Sequence, residues 1–410
     1  MKSSNACMTL LVAMALVAGC GSGNGASGTA STTTGTTDTT TSTTASASNV
    51  LAITVNGSLC SSSTSGSYVN KPCVSVTICT PGTSTCQTIS DILLDTGSYG
   101  LRIFGSVLTG VSLTQVASAS GGSLAECVQF GDGSALWGPV MTADVVMGGE
   151  SGVQMPIQVI NASFGSAPAA CRSADASPTA AGFNGILGVG LFARDCGTDC
   201  VGTANNGMYY SCSGTSCTAT AAELVKQVPN PVALLPVDNN GVIVQLPTVA
   251  TAGAASATGS LILGIGTQTN NVPSSVTTYP ADSSAEFRTT YNGTTYYSFL
   301  DTGSNGLFFP ATSLLSACAV SGYSGWFCPS TNTSLSAVNA GYDGSSTGTV
   351  SFTIGNAVTM FNSSNMVFPA LGGSMSGGFD WGLPFFLGRS VYVGIEGTGS
   401  TLGTGPYWAY

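Results

Sequence analysis

The chain contains no histidine among its 410 residues, and only eight lysines and arginines against 18 acidic residues. Without histidine, the usual general base of serine and cysteine hydrolases and the commonest zinc ligand are missing, so any hydrolytic chemistry must rest on carboxylates. The net charge of -10 leaves no basic stripe to hold a phosphate backbone, which excludes nucleic acid as a partner. Charge of either sign is scarce. With 6% of residues charged and 43% hydrophobic, core material is ample and the surface must be covered by Gly, Ser and Thr. Few stretches keep an i, i+3, i+4 apolar period over several turns, so the chain is expected to be all-β with few, short helices.

A long hydrophobic run is also absent. The apolar stretch Met8 to Ala18 follows Lys2 and runs into "VAGC", Val17 to Cys20, and it is too short to span a bilayer, which takes roughly 20 residues. The tetrad resembles the lipobox of bacterial lipoproteins, which implies cleavage after residue 19 and a lipid on Cys20. That places the protein in the bacterial cell envelope, lipid-anchored on the periplasmic or extracellular side. An ordinary secretory signal is the alternative, and either one exports the protein. Residues 20–49 hold Cys20 and a Gly, Ser, Thr and Ala stretch that cannot bury enough apolar surface to order itself. It reads as a disordered tether with a reach of roughly 30 Å.

Of the 14 cysteines, Cys7 lies in the signal and Cys20 is the lipid candidate, which leaves 12 for the mature fold. An even number in an exported chain implies disulfides. Cys60 with Cys73, Cys79 with Cys86, and Cys318 with Cys328 are the expected local bridges. Cys196, Cys200, Cys212 and Cys217 allow three connectivities, and spacing does not choose among them. Metal binding at "CGTDC", Cys196 to Cys200, lacks histidine or a second thiol pair at zinc spacing, so no metal or other cofactor is expected.

What is present is a repeat. "ILLDTGSYGLRIF", Ile92 to Phe104, and "SFLDTGSNGLFFP", Ser298 to Pro310, match at Leu94 and Leu300, through DTGS, and at Gly100-Leu101 against Gly306-Leu307. Downstream, "GILGVG" brings Gly188 93 residues after Asp95, and "FFLGRSV" brings Gly388 87 residues after Asp301. A lone DTGS reads as an Asx-type turn ending a strand. Two copies in matching contexts imply a duplicated lobe, 50–266 and 267–410, with Asp95 and Asp301 facing each other.

On these motifs the chain resembles the pepsin-like aspartic proteases over most of residues 85–395. "VQFGDGSALWG", Val128 to Gly138, is similar to that family's flap, "FNGILGVG" to its first ψ-loop, and "ATGSLILGIG", Ala257 to Gly266, to the strand closing its first lobe. The lipobox, the tether and the ending "DWGLPFFLGRSVYVGIEG" through "GPYWAY" also resemble a bacterial lipoprotein family of unknown function. The pepsin-like resemblance implies a bilobal fold with a cleft between two pseudo-symmetric β lobes, and an endopeptidase using an Asp95–Asp301 dyad and an activated water on a peptide or protein substrate. It makes Thr96, Gly97, Ser98, Thr302, Gly303 and Ser304 supporting residues, and Phe130, Gly131, Asp132 and Gly133 the substrate-covering flap. Phe130 stands where the family usually has tyrosine, and Arg102 where an aromatic usually supports it. A catalytically silent lipoprotein that binds peptides or envelope proteins in the same cleft is the alternative. A monomer is expected.

Overall fold

A computed structural model describes residues 48–65 and 68–410. The expected signal, Cys20 and most of the tether lie outside the described residues. The described chain is mostly β, with 25 strands and four short α-helices, the longest spanning Ala357–Phe361. None of its helices is long and apolar enough to cross a membrane.

The strands form a 16-stranded sheet and a seven-stranded sheet, with one further two-stranded ribbon. An additional pairing of Pro72–Cys79 with Ala135–Val146 curls the larger sheet onto itself. That sheet takes strands from both ends of the chain. Val50–Val55 pairs with Ala257–Leu263, which leads through Gly241–Gln245 to Ser390–Gly394 and Tyr407–Ala409. The smaller sheet draws only on residues between Phe287 and Gly382.

Both sheets contain the same local arrangement. In the larger one, Cys86–Asp95 runs parallel to Gly185–Val189 with Asp95 opposite Gly188, and Gly185–Val189 pairs antiparallel with Tyr99–Phe104. In the smaller one, Thr294–Asp301 runs parallel to Gly378–Gly382 with Asp301 opposite Gly382, and that strand pairs antiparallel with Leu307–Phe309.

This pairing corrects one expectation from sequence. The counterpart of "GILGVG" is "GFDWG", Gly378 to Gly382, and not "FFLGRSV". A Cβ on Gly188 would come 2.7 Å from Tyr99 backbone, and one on Gly382 would come 2.0 Å from the Gly306 carbonyl. Each glycine therefore lets the carboxylate turn lie directly over its neighbouring strand. Gly388 serves another purpose. At φ +80° it turns the chain after the helix Leu383–Phe386 toward Ser390–Gly394 in the larger sheet.

The smaller sheet packs around aromatic rings. Phe309 and Phe379 stack with centroids 5.0 Å apart, and Phe379 stacks on Trp381 at 4.3 Å. Trp381 is buried, and its Nε1 donates to Thr289 Oγ1 at 3.0 Å, so the strand beside Asp301 is fixed both by ring packing and by a satisfied indole.

Six disulfides close the fold. Cys60–Cys73, Cys79–Cys86 and Cys318–Cys328 form as expected, and the open set resolves into Cys196–Cys200 and Cys212–Cys217. The sixth, Cys127–Cys171, ties the strand Ser123–Gln129 to a segment 44 residues on. This many bridges fits an oxidising, extracytoplasmic location. Because cross-link stabilisation grows with the loop closed, the paired change Cys127→Ser, Cys171→Ser should lower unfolding free energy by about 4 kcal/mol, against roughly 2 kcal/mol for Cys196→Ser, Cys200→Ser. Urea unfolding of the two double variants checks the order. Equal losses would show that loop closure does not govern either bridge.

Candidate functional site

Each of the two aspartates ends a strand held on both sides. Ile92 to Asp95 are buried without a break, since their strand lies between Pro72–Cys79 and Gly185–Val189. The chain then folds back over its own carboxylate. The Gly97 N–H donates to Asp95 Oδ1 at 2.8 Å and the Ser98 hydroxyl donates to Oδ2 at 2.5 Å. In the second copy, the Gly303 N–H donates to Asp301 Oδ1 at 2.7 Å and the Ser304 hydroxyl to Oδ2 at 2.7 Å.

The threonines between them join the two turns. Thr96 Oγ1 donates to the Leu300 carbonyl at 2.8 Å and accepts from the Thr302 N–H at 3.0 Å. Thr302 Oγ1 donates to the Leu94 carbonyl at 2.7 Å and accepts from the Thr96 N–H at 3.1 Å. Both side chains are buried. Each hydroxyl thus gives its one proton and takes one, which makes a closed four-bond lattice between segments far apart in sequence.

That lattice sets the two carboxyls against each other. A Cβ on Gly97 would lie 2.7 Å from Asp301 Cγ, and one on Gly303 would lie 3.0 Å from Asp95 Cγ. Glycine is required at both places because the opposite carboxyl occupies the space. The Asp95 carboxyl is within hydrogen-bonding reach of Asp301. Burial pushes the Asp95 pKa well above the usual carboxylate range, and the Asp301 charge and that shared hydrogen bond add to it, opposed only in part by Ser98 and Gly97.

The hairpin Val128 to Gly138 carries Phe130, Gly131, Asp132 and Gly133 at its turn. Gly131, Asp132 and Gly133 are exposed, and Asp132 Oδ1 accepts from the Ser134 N–H and hydroxyl at 2.9 and 2.6 Å. Phe130 is half-buried against the cluster of Leu93, Phe104, Leu136, Ile160, Phe183 and Ile186, so the ring belongs to the layer beneath the Asp95 strand. Trp137 faces elsewhere: it packs with the Cys127–Cys171 bridge and donates to the Phe164 carbonyl at 2.6 Å.

Arg102 replaces aromatic support with charge. Its guanidinium, 1% exposed, bonds Glu126 Oε1 at 2.7 Å on the strand leading into the hairpin, and Asp195 Oδ2 at 3.2 Å. Tyr209 donates to Asp195 from the other side. Two carboxyls around one cation leave a surplus of negative charge. Burial, and then the nearby Glu126, push the Asp195 carboxyl well above its usual range.

Sequence reasoning missed two groups beside the aspartates. Tyr68, in the Ser-rich loop between Cys60 and Cys73, donates its hydroxyl to the Gly303 carbonyl at 3.0 Å. Burial raises its pKa, with further contributions from Asp301, Asp132 and Asp95, so the phenol is near both the dyad and the hairpin turn. Its loop is clamped by Asn70, whose side chain bonds the Asn305 and Phe368 carbonyls, and by Lys71, which pairs with Asp91 at 2.7 Å out of water. The second group is Asp380, buried on the strand beside Asp301. Its sequence signal was a lone acid within the apolar run "GFDWG".

Among the described residues, one close grouping has metal-ligand chemistry: Cys60, Cys73 and Asp91. Its two sulfurs are joined to each other and its carboxylate is paired with Lys71, so the donor set is already spent.

The family model described as "Protein of unknown function (DUF3443)" matches residues 45–410, and the chain belongs to that family. A search of curated proteins finds no match.

The threonine lattice yields a direct measurement. Thr302→Val keeps the shape but strands the Thr96 N–H and the Leu94 carbonyl, at a cost of roughly 2–5 kcal/mol for two buried unpaired groups. Thr96→Val should lose a similar amount, because it makes the mirror-image bonds. Urea unfolding of both variants reads the loss. A change below about 0.5 kcal/mol in either would mean that the two turns are held by something other than these hydroxyls.

Proposed function

We propose that this member of the DUF3443 family is an exported aspartic endopeptidase with a bilobal, pepsin-like fold, anchored through a lipid on Cys20. The observation that carries the reading is the pair of matched turns that press Asp95 against Asp301. Setting a buried carboxyl against a second, half-buried one costs stability, and a caged, hydrogen-bonded pair is what acid–base hydrolysis requires. The same strand arrangement beside each aspartate, one copy in each sheet, supports the bilobal assignment.

Two carboxyls in contact share one proton and titrate as a unit. The ionised member takes a proton from a water held between them as the water oxygen bonds to the peptide carbonyl carbon. The carbonyl π pair moves onto oxygen, where the protonated member delivers its hydrogen, and a neutral gem-diol results. The newly protonated carboxyl then gives its proton to the amide nitrogen, the C–N bond breaks, and one diol hydroxyl returns its proton to the other carboxylate. Free acid and amine leave, and the pair again holds one proton. Substrate would lie extended between the dyad and the hairpin at Phe130, whose apolar surroundings favour bulky apolar residues flanking the cut.

One observation favours a silent, peptide-binding lipoprotein instead. The hydroxyl that pepsin-like proteases usually carry on the flap is absent from Phe130, and a hydroxyl from elsewhere, Tyr68, occupies the Gly303 carbonyl next to the dyad.

The deciding experiment is cleavage of an unfolded protein by the purified chain between about pH 3 and 7, with and without an aspartic-protease inhibitor. Asp95→Asn and Asp301→Asn should each lower kcat by on the order of 10^3-fold or more, since the carboxyls act as one unit. With the Asp95 pKa raised by burial and by Asp301, the singly protonated pair persists to higher pH than a free carboxyl would. Activity should therefore fall only as pH rises through that raised value. No cleavage by wild type, with peptide binding unchanged in both Asn variants, would establish the binding reading. Membrane anchoring is read separately: Cys20→Ser should move the protein out of the membrane fraction.

A further inference from the structure

The seven-stranded sheet ends at Thr347–Ile354, which pairs on one side only, with Thr333–Ala340. Among the described residues no backbone hydrogen bond reaches Val350 to Thr353 from the other side. Beyond this open stretch the edge closes, because the Gly355 N–H donates to the Ala370 carbonyl at 2.8 Å. The four residues Val350 to Thr353 line a cavity of about 170 Å³, whose other walls include Ala370, Trp381, Phe385 and Arg389. Here the aromatic core comes to the surface: Phe352 is only half-buried, its ring meets Trp381 at 5.3 Å, and Trp381 meets Phe385 at 5.2 Å. The volume is close to the roughly 150 Å³ of an apolar cavity that takes up benzene, so one ring or branched aliphatic side chain fills it.

Arg389 is the one charged side chain among the described residues that line this cavity. It is half-buried, its guanidinium lies over the Phe385 ring at 4.5 Å, and one Nη1 hydrogen goes to the Phe385 carbonyl. No acidic side chain of the described chain pairs with it, although the protein has 18 acids to eight bases. Burial draws its pKa down, and no carboxylate opposes that pull. The planar fork of Nε and Nη2 matches a carboxylate in both shape and charge. We propose that this cavity binds the C-terminus of an extended peptide: an apolar last side chain enters beside Phe352 and Trp381, the α-carboxylate pairs with Arg389, and the preceding residues add a strand along Val350 to Thr353. An open strand edge recognises backbone, which selects a peptide over a free fatty acid of the same charge. Closure at Gly355 admits a chain end and not a chain passing through, and it sets the peptide parallel to its host strand. The site does not depend on the peptidase reading.

The test uses the full, oxidised chain carrying Asp95→Asn, so that the probe would survive any cleavage at the dyad. The probe is a fluorescein-labelled hexapeptide of alternating Thr and Val ending in Phe with a free carboxylate, and binding is read by anisotropy. Amidating its C-terminus should weaken binding by about tenfold or more, the loss of a charge-assisted pair. Arg389→Gln should bring the acid down to the level of the amide and leave the amide unchanged. Methylating single backbone nitrogens of the probe should hurt at alternate positions, since strand pairing has a period of two. Octanoate should compete at least about tenfold more weakly than the peptide acid. On binding, amide exchange should slow within Val350 to Thr353 and not in the hairpin Val128 to Gly138. Absence of binding, or equal binding of acid and amide, overturns the proposal. Octanoate as effective as the peptide, with no effect of N-methylation, replaces it by a fatty-acid site, and protection of the hairpin alone moves the peptide to the dyad. Should Arg389→Gln fail to fold, the acid–amide comparison and the exchange map decide with Arg389 in place.

Discussion

Two carboxyls set against each other, Asp95 buried and Asp301 half-buried, repel whenever both ionise, and most of what is unusual in this molecule answers that repulsion. The strands that carry Asp95 and Asp301 cannot drift apart, since each threonine hydroxyl between them bonds the backbone of the opposite turn in both senses. Nor can the turns be built from larger residues, because the opposite carboxyl fills the space next to Gly97 and Gly303. The parallel neighbours need glycine at 188 and 382 for a different reason: the turns lie directly over them. Beneath Gly382, the Phe379 and Trp381 rings anchor that strand in the aromatic core. The electrostatic demand at one point is thus passed through hydrogen bonds and close backbone packing to both sheets.

A chain with only eight basic residues spends two of them in the interior around this site. Lys71 and Asp91 are both fully buried, and Lys71 also donates to the Gly182 carbonyl at 2.6 Å, which fixes the loop carrying Tyr68. Arg102 holds the strand that leads into the hairpin through Glu126. Pairs of this kind add little net stability over apolar packing, but breaking one leaves an uncompensated buried charge, so they tolerate few alternative geometries. Their use here is to fix position. Each connects a segment that borders the dyad to the framework behind it.

The parts of the site legible in the sequence were those encoded by short spacing. Asp, Thr, Gly and Ser in direct succession make a turn whose hydrogen bonds follow from residue type alone, and two copies imply that the turns meet. Short cysteine spacings likewise pointed to Cys60–Cys73, Cys79–Cys86 and Cys318–Cys328. Cys127 and Cys171 did not advertise their partnership, because nothing local distinguishes a bridge that closes 44 residues. Arg102 stood out as a departure, yet its partners Glu126 and Asp195 become neighbours only when a hairpin strand and a distant loop fold around it. The strand beside Asp301 was misplaced for a related reason. "FFLG" fits an apolar-apolar-glycine pattern better than "DWG", whose first position is an acid, and only the backbone contact under Gly306 identifies the true neighbour.

Tyr68 brings a hydroxyl to the second turn from a segment in which no sequence signal marks it. The hairpin turn brings no ring hydroxyl, since Phe130 packs its apolar ring into the layer under the Asp95 strand. The phenol arrives instead from a loop tied to the second turn by Asn70 and to the first sheet by Lys71, and it reaches the Gly303 carbonyl directly. That carbonyl has two lone pairs, so one remains after Tyr68 takes the other. A polar group fixed to the framework has less freedom to lose on binding than one carried by a lid. The hairpin contributes an apolar ring to the layer under the Asp95 strand, and the directional bond beside the dyad is fixed by the framework itself.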